Sequence, residues 1–340
     1  MNENSIIDFA VINEKIKTYS LHQSRLNLEE GKMGSCLYFF RLARWFNDIE
    51  YEKLAEKLLD DIFIGLFNET TVLSPSELAQ IGMGIDYLLE QKYIKGNVNV
   101  ILSDLDSLLY KRLSFENVFL NYRIIGIIPT LFFICMRIQQ QKKGSSSRFM
   151  LEGVSIKFFN DLYSSLDSKF YEEPLLFNIF DYKLPQFLYV VSKMYSLEFY
   201  NYRIIEVLKE ISGLILSRIP ALHANRLYLL WSLVHLKKAT GLNTWNEQID
   251  ILINYIDYQK IILSELHNKD VFIRDGVTGI YLLLNALKDS SHPIFFDKTL
   301  FRKKIEESCI WNDEQAHKNL GFVNGFSGLI WVYSSIVNKE

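Results

Sequence analysis

The sequence predicts an all-α protein, an (α/α) toroid or barrel of about seven helical hairpins with an inner and an outer helix layer. Three observations lead there. Apolar residues recur at the helical period along almost the whole chain. Only 16 Gly and 6 Pro serve 340 residues, too few for the tight turns of a many-stranded β fold. Amphipathic segments also alternate with segments that are apolar nearly all round.

The outer type is represented by Tyr51–Phe63. Leu54, Leu58 and Ile62 share one side with Ala55 and Leu59, while Lys53, Glu56, Lys57, Asp60 and Asp61 fall mostly on the other. Val98–Leu113, Phe149–Leu166, Tyr202–Ile219, Trp245–Leu263 and Phe296–Cys309 read the same way. The inner type comprises Leu37–Phe46, Ile81–Leu89, Ile124–Ile138, Leu184–Met194, Leu227–Leu236, Ile280–Leu287 and Leu329–Ile336. A helix apolar on every face belongs inside a large protein. Three inner segments open alike, on Gly31-Lys-Met-Gly34, Gly276-Val-Thr-Gly279 and Gly325-Phe-Ser-Gly328. Weaker copies begin at Ala79, Arg123, Tyr182 and Ala224, so successive starts lie 42–59 residues apart. Such a step holds two helices and two loops, and it exceeds the roughly 34 residues of tetratricopeptide or ankyrin units. Glycine at these starts reads first as a packing device that lets backbones approach.

Composition narrows the function. Thirty-seven basic against 40 acidic residues leave a net charge of -3 with no basic block, which argues against nucleic acid as a partner. The longest apolar run, Ile124–Met136, is bracketed by Arg123 and Arg137 and broken by Gly126 and Pro129. It is too short to span a bilayer, so no membrane is expected. Cys36, Cys135 and Cys309 form no CxxC pair. They suit a reduced, cytoplasmic protein without a disulfide framework. No shift in composition marks a boundary, and residues 1–340 read as a single domain.

GKMGSCLYFFRLARWFND followed by YEKLAEKLLDDIF, then DGVTGIYLLLNALKD and the closing GFVNGFSGLIWVYSSI, together resemble the lanthionine synthetase C-like (LanC-like) family. The resemblance implies a role in peptide modification. It also implies zinc held by a Cys opening the fifth inner helix and a Cys-His pair opening the sixth, where the metal would activate a peptide thiol for thioether formation. Thiolate and imidazole suit zinc. This chain departs from that pattern. Arg274-Asp275-Gly276 stands where the family has Cys-His-Gly, and Leu222 stands where the other Cys belongs. No zinc or other cofactor is therefore expected.

The starts of the inner helices should offer unpaired N–H groups and a positive dipole end to a ligand. The candidate residues there are Arg123, Asp181, His223, Arg226, Arg274, Asp275 and Asn324, with Asn225 alongside. Arg274 and Asp275 read first as members of ion pairs, and His223 as a hydrogen-bonded residue. The doublets Asp60–Asp61, Glu172–Glu173 and Glu306–Glu307 read as solvated faces. The leading reading is a zinc-less LanC-like protein that binds a precursor peptide or a peptide-modifying partner enzyme. One alternative is a toroid glycosidase or epimerase using carboxylates such as Asp181 and Asp275; another is a cyclase with non-standard ligands. Whether the chain is an enzyme stays open at this point.

Overall fold

A computed structural model describes residues 9–68, 72–115 and 124–337. The early helices are α1 (Phe9–His22), α2 (Lys32–Phe46), α3 (Ile49–Leu66), α4 (Pro75–Glu90), α5 (Val98–Ile101) and α6 (Ser103–Phe115). The middle of the chain forms α7 (Ile124–Gln140), α8 (Ser146–Ser164), α9 (Lys183–Tyr195), α10 (Asn201–Leu216), α11 (His223–Thr240) and α12 (Asn246–Tyr255). The last are α13 (Val277–Leu287), α14 (Lys298–Glu306) and α15 (Phe326–Val337). No strand occurs among the described residues. The all-α prediction holds. No helix among them is long and apolar enough to cross a membrane.

The chain divides into two compact units, each assembled from separate stretches. The first takes Met1–Gly96, Ile262–Leu282 and Phe296–Glu340; the second takes Asn97–Ile261 and Leu283–Phe295.

In the first unit α2 is the centre, packed by α3, α15, α4 and α1. It buries Met33, Cys36, Tyr38, Phe39 and Leu42 around its whole circumference, whereas α3 buries only the stripe Ala55, Leu58, Leu59, Ile62 and Leu66. That contrast is the inner and outer pattern expected from the sequence. Each such side chain, fully buried, contributes about 1.5–3 kcal/mol. α15 is inner by the same test and carries α14 on its outside. The start of α4 corrects the expected repeat. The helix begins at Pro75, and Ala79-Gln-Ile-Gly82 lies inside it. Ser74 and Glu77 form a reciprocal cap, with Oγ of Ser74 accepting from the Glu77 N–H at 3.2 Å and the Glu77 carboxylate accepting from the Ser74 N–H at 3.0 Å. A capping box outranks a glycine as a start signal.

In the second unit α9 packs between α7 and α11, with α8 against α7, α10 against α9 and α12 against α11. The expected outer helix Trp245–Leu263 is shorter than its period suggests. It stops at Tyr255; Asp257 then caps a new turn by accepting from the N–H groups of Gln259 and Lys260 at 3.0 and 3.1 Å, and a wide π turn follows over Ile261–Glu265. A side chain that bonds nearby backbone competes with helix continuation.

Candidate functional site

The three Gly-led helix starts of the first unit are built alike. The first helical N–H after each glycine donates to the carbonyl seven residues upstream: Lys32 to Arg25 at 3.0 Å, Val277 to Asp270 at 3.0 Å and Phe326 to Asn319 at 2.9 Å. The next position repeats the spacing, through backbone for Met33 to Leu26 and Thr278 to Val271, and through the hydroxyl for Ser327 to Leu320. Each preceding loop thus folds back and caps its own helix. The glycines make room for it. A Cβ on Gly31 would lie 2.4 Å from Asn27 N, on Gly276 2.4 Å from Asp270 C and on Gly325 2.5 Å from Asn319 O. This narrows the expectation of open N–H groups: at these three starts the first donor that a free helix end would offer to an anion is taken by the chain itself.

The same loops are stitched to one another. Glu29 O accepts from the N–H groups of Phe322 (2.8 Å) and Val323 (3.2 Å), and Val323 O accepts from Arg274 N–H (3.0 Å). That stitching fixes a polar cluster. The Glu29 carboxylate accepts from Gln80 Nε2 at 2.7 Å and faces Arg274 Nη2 at 3.8 Å. Burial pushes the Glu29 carboxyl above its ordinary value despite Arg274 and Gln80, which pull it down. Burial wins because the guanidinium stands beyond hydrogen-bond range. Next to Arg274, Asp275 is also raised, by burial first and then by the charge of Asp270. The amide oxygen of Gln80 is buried and receives no hydrogen bond from the described residues. The cluster thus combines a carboxylate, a side-chain amide and a guanidinium. Asn324 is half-buried in the turn before Gly325. Neither Glu29 nor Gln80 was among the sequence candidates. Glu29 lies in a loop with no motif, and only the fold brings it to α4.

Ionisation of these two raised carboxyls costs the folded state, so their contribution works against stability as pH rises. The loss begins near the ordinary carboxylate range, where the unfolded chain ionises, and ends above the raised folded values. Glu29→Gln is expected to flatten that fall in the urea midpoint measured across the acid range. A slope unchanged from wild type would show that Glu29 does not carry it.

In the second unit, His223 and Arg226 fasten loops. His223 Nδ1 lies 2.9 Å from Tyr255 O and 3.1 Å from Asp257 N, and Arg226 donates to Pro220 O (2.6 Å), Ala221 O (2.9 Å) and Tyr255 O (2.9 Å). Asp181 is exposed. Arg123 lies outside the described residues. Asp181 and Asp275, the carboxylates of the carbohydrate reading, belong to different units.

The carboxylate doublets split, contrary to the reading that both members are solvated. Asp61 pairs with Lys32, Glu173 binds Ala221 N–H at 2.7 Å, and Glu306 binds Arg302 at 2.7 Å and the Tyr333 hydroxyl. Asp60, Glu172 and Glu307 stay exposed. Adjacent helical residues point about 100° apart, so on α3 Asp61 faces Lys32 while Asp60 faces water; Glu172 and Glu173 lie just past the 3₁₀ turn, where extended backbone sends them apart.

The zinc chemistry that the resemblance implies needs converging thiolate and imidazole donors, and two of the three cysteines, Cys36 and Cys135, are buried. Burial pushes the Cys135 thiol up to about 12 and the Cys36 thiol higher still; Cys36 donates to Ala55 O at 3.4 Å. Both are held as thiols. No three His, Cys, Asp or Glu side chains gather as a metal group among the described residues.

Two further features have no sequence forecast. A groove of about 990 Å³ runs along α1, lined by Val11, Glu14, Lys15, Tyr19, His317 and Leu320. His317 is committed there, one nitrogen to Lys15 Nζ at 2.9 Å and the other to Trp311 O at 3.1 Å. In the second unit, His235 stands 5.2 Å from the Trp231 ring and 5.0 Å from Tyr189, its pKa lowered to about 4 by burial and by Lys193 and Lys238. That imidazole is neutral at physiological pH.

No family model and no curated protein matches the chain. Among solved structures it is similar to nisin cyclase, with a TM-score of 0.62 at 14% identity, over 96% of this chain and 92% of that one. The likeness extends over nearly the whole sequence, and it shows the fold alone, a helical one like that of nisin cyclase.

Proposed function

We infer that the chain is a zinc-less LanC-like protein of peptide maturation. It binds a precursor peptide or a partner modification enzyme at the starts of its inner helices, and residues 1–340 act as one cytoplasmic working unit. The observation that carries this is the Glu29–Gln80–Arg274 cluster. At the position where the resemblance places Cys-His-Gly, Arg274 turns to a half-buried carboxylate, and a buried amide oxygen beside it lacks a donor. A guanidinium there repels a divalent cation, and the partly exposed Glu29 carboxylate and Arg274 guanidinium offer an acceptor and donors to the amides of a bound chain. The likeness to nisin cyclase supports a peptide as the class of ligand.

The test pairs elemental analysis of the purified protein with photocrosslinking from a probe at Asp275. The expected result is well under one equivalent of zinc, together with a crosslink to a peptide or a peptide-modifying protein. Tight retention of one equivalent of zinc, abolished by His223→Ala or Asp275→Ala, would overturn the reading.

A further inference from the structure

In the second unit, a cavity of about 520 Å³ opens between the end of α11 and the segment after α13. His235, Lys237 and Lys238 line it from α11, and Asp289, Ser290 and Ser291 line it from the facing segment. That volume falls in the range of small-molecule sites. Lys193 approaches from α9. Its Nζ stands 5.3 Å over the Tyr189 ring, which in turn lies 5.0 Å from His235.

These lysines are not paired. Among the described residues, no carboxylate lies within ion-pair range of Lys193, Lys237 or Lys238. Glu198, just past α9, is paired with Lys143 at 3.1 Å. Asp289 opposes the lysines from the cavity wall, and its neighbour Lys288 offsets it. Lys193, Lys237 and Lys238 occupy the last turns of their helices, where each helix end carries about half a negative charge. Two such ends answer one lysine of the three. His235 registers what is left: besides burial, Lys193 and Lys238 hold its pKa down to about 4, and no carboxylate opposes them. Glu247 and Asp250, on the adjoining α12, are both exposed. Neither ring nitrogen of His235 bonds a described residue. Ser290 Oγ accepts from His292 N–H at 3.1 Å, which leaves its own hydrogen to donate.

We propose that this cavity binds a small phosphate monoester, its dianion held by the ammonium groups of Lys237 and Lys238 in the field of Lys193. Hydrogen bonds between ammonium and phosphate are charge-assisted, about twice as strong as neutral ones. The Ser290 hydroxyl and the neutral His235 imidazole add a donor each. A dianion draws on all three lysines, where a carboxylate needs only one. Val234 and Ala286 complete the wall with apolar surface for the organic part of the ester. An anion there also eases the field on His235 and raises its pKa, so the imidazole reports occupancy. The inference stands on the second unit alone and does not use the Glu29 cluster.

Glycerol 2-phosphate titrated into the full chain at mildly alkaline pH, where the ester is a dianion, tests this. Calorimetry gives the affinity, and NMR of the His235 ring nitrogens reports the place. The expected result is saturable binding that moves the His235 resonances. Lys237→Met/Lys238→Met should weaken it about tenfold or more, and Asp289→Asn should tighten it. Lys111→Met/Lys209→Met removes the same charge from exposed positions on α6 and α10 and should leave it unchanged. Glycerate, a monoanion of similar size, should bind wild type more weakly. Thermal unfolding of each variant checks that it is folded. Any of four outcomes would overturn the proposal: no saturable binding, binding that leaves the His235 resonances in place, equal weakening by the two lysine pairs, or glycerate bound as tightly as the phosphate. The wild-type titration decides the first two whatever the variants do. None of these touches the zinc content or the Asp275 crosslink, so the two readings fail separately.

Discussion

Gly328→Ala is expected to destabilise the protein by at least about 3 kcal/mol, read as a large drop in the urea or thermal midpoint. A Cβ at that position would lie 1.6 Å from Phe322 O and 2.7 Å from Phe322 C, with Ile273 Cδ1 at 2.9 Å. The obstacle is backbone, which no rotamer change relieves. That backbone is also fixed from the other side, since Phe322 N–H donates to Glu29 O at 2.8 Å. Moving it would break the stitch that positions the Glu29–Gln80–Arg274 cluster. Gly153→Ala and Gly213→Ala provide the control. Both glycines are inside helices with nothing within 4 Å of a new Cβ, so each exchange should be neutral or stabilise by about 0.5–1 kcal/mol. Equal effects at all three positions would show that helix propensity, and not close approach, governs Gly328.

Arg137→Met should cost about 3–5 kcal/mol, while Asp106→Leu/Arg137→Met should recover most of that loss. Arg137 is 1% exposed and clasps Asp106, with Nε at 3.0 Å from both carboxylate oxygens and Nη2 at 2.8 Å from Oδ2; a further bond runs to Gln140. The Asp106 carboxyl is nonetheless raised, because burial outweighs the hydrogen bonds and charge of Arg137. The pair is thus held together at a desolvation cost. Removing one partner strands the other, whereas replacing both removes the cost as well. Denaturant midpoints of the single and double variants decide it. A double variant no more stable than Arg137→Met would mean that packing of the arginine stem, not charge, is what was lost.

Much of the fold was legible from periodicity. The stripe Ala55, Leu58, Ile62 gave an outer helix, and the all-round apolar run after Gly31 gave an inner one, because burial on one face or on all faces leaves different sequence patterns. Boundaries were less legible. The cap at Ser74 and the break after Tyr255 depend on side-chain bonds to backbone that a hydrophobic pattern does not encode. At the site, Arg274 and Asp275 were found through their place beside a Gly-led helix start, and Arg274 is indeed ion-paired. Glu29 and Gln80 were missed since they are 51 positions apart in sequence; Glu29 belongs to no motif, and Gln80, inside the weak copy Ala79-Gln-Ile-Gly82, carried no signal of its own.

The sequence by itself determined the helical class and the two kinds of helix, and it placed Arg274 and Asp275 beside a Gly-led helix start. These are properties of residue order, carried by local period and residue type. The tertiary structure decided that the Gly-led helix starts are already capped by their own loops, that one carboxylate of each doublet is bound, and that Lys193 of α9 and Lys238 of α11 act on one imidazole. The physical reason is common to all three. Whether a donor or a charge is satisfied depends on which distant segment folding brings against it, and local pattern holds no record of that segment.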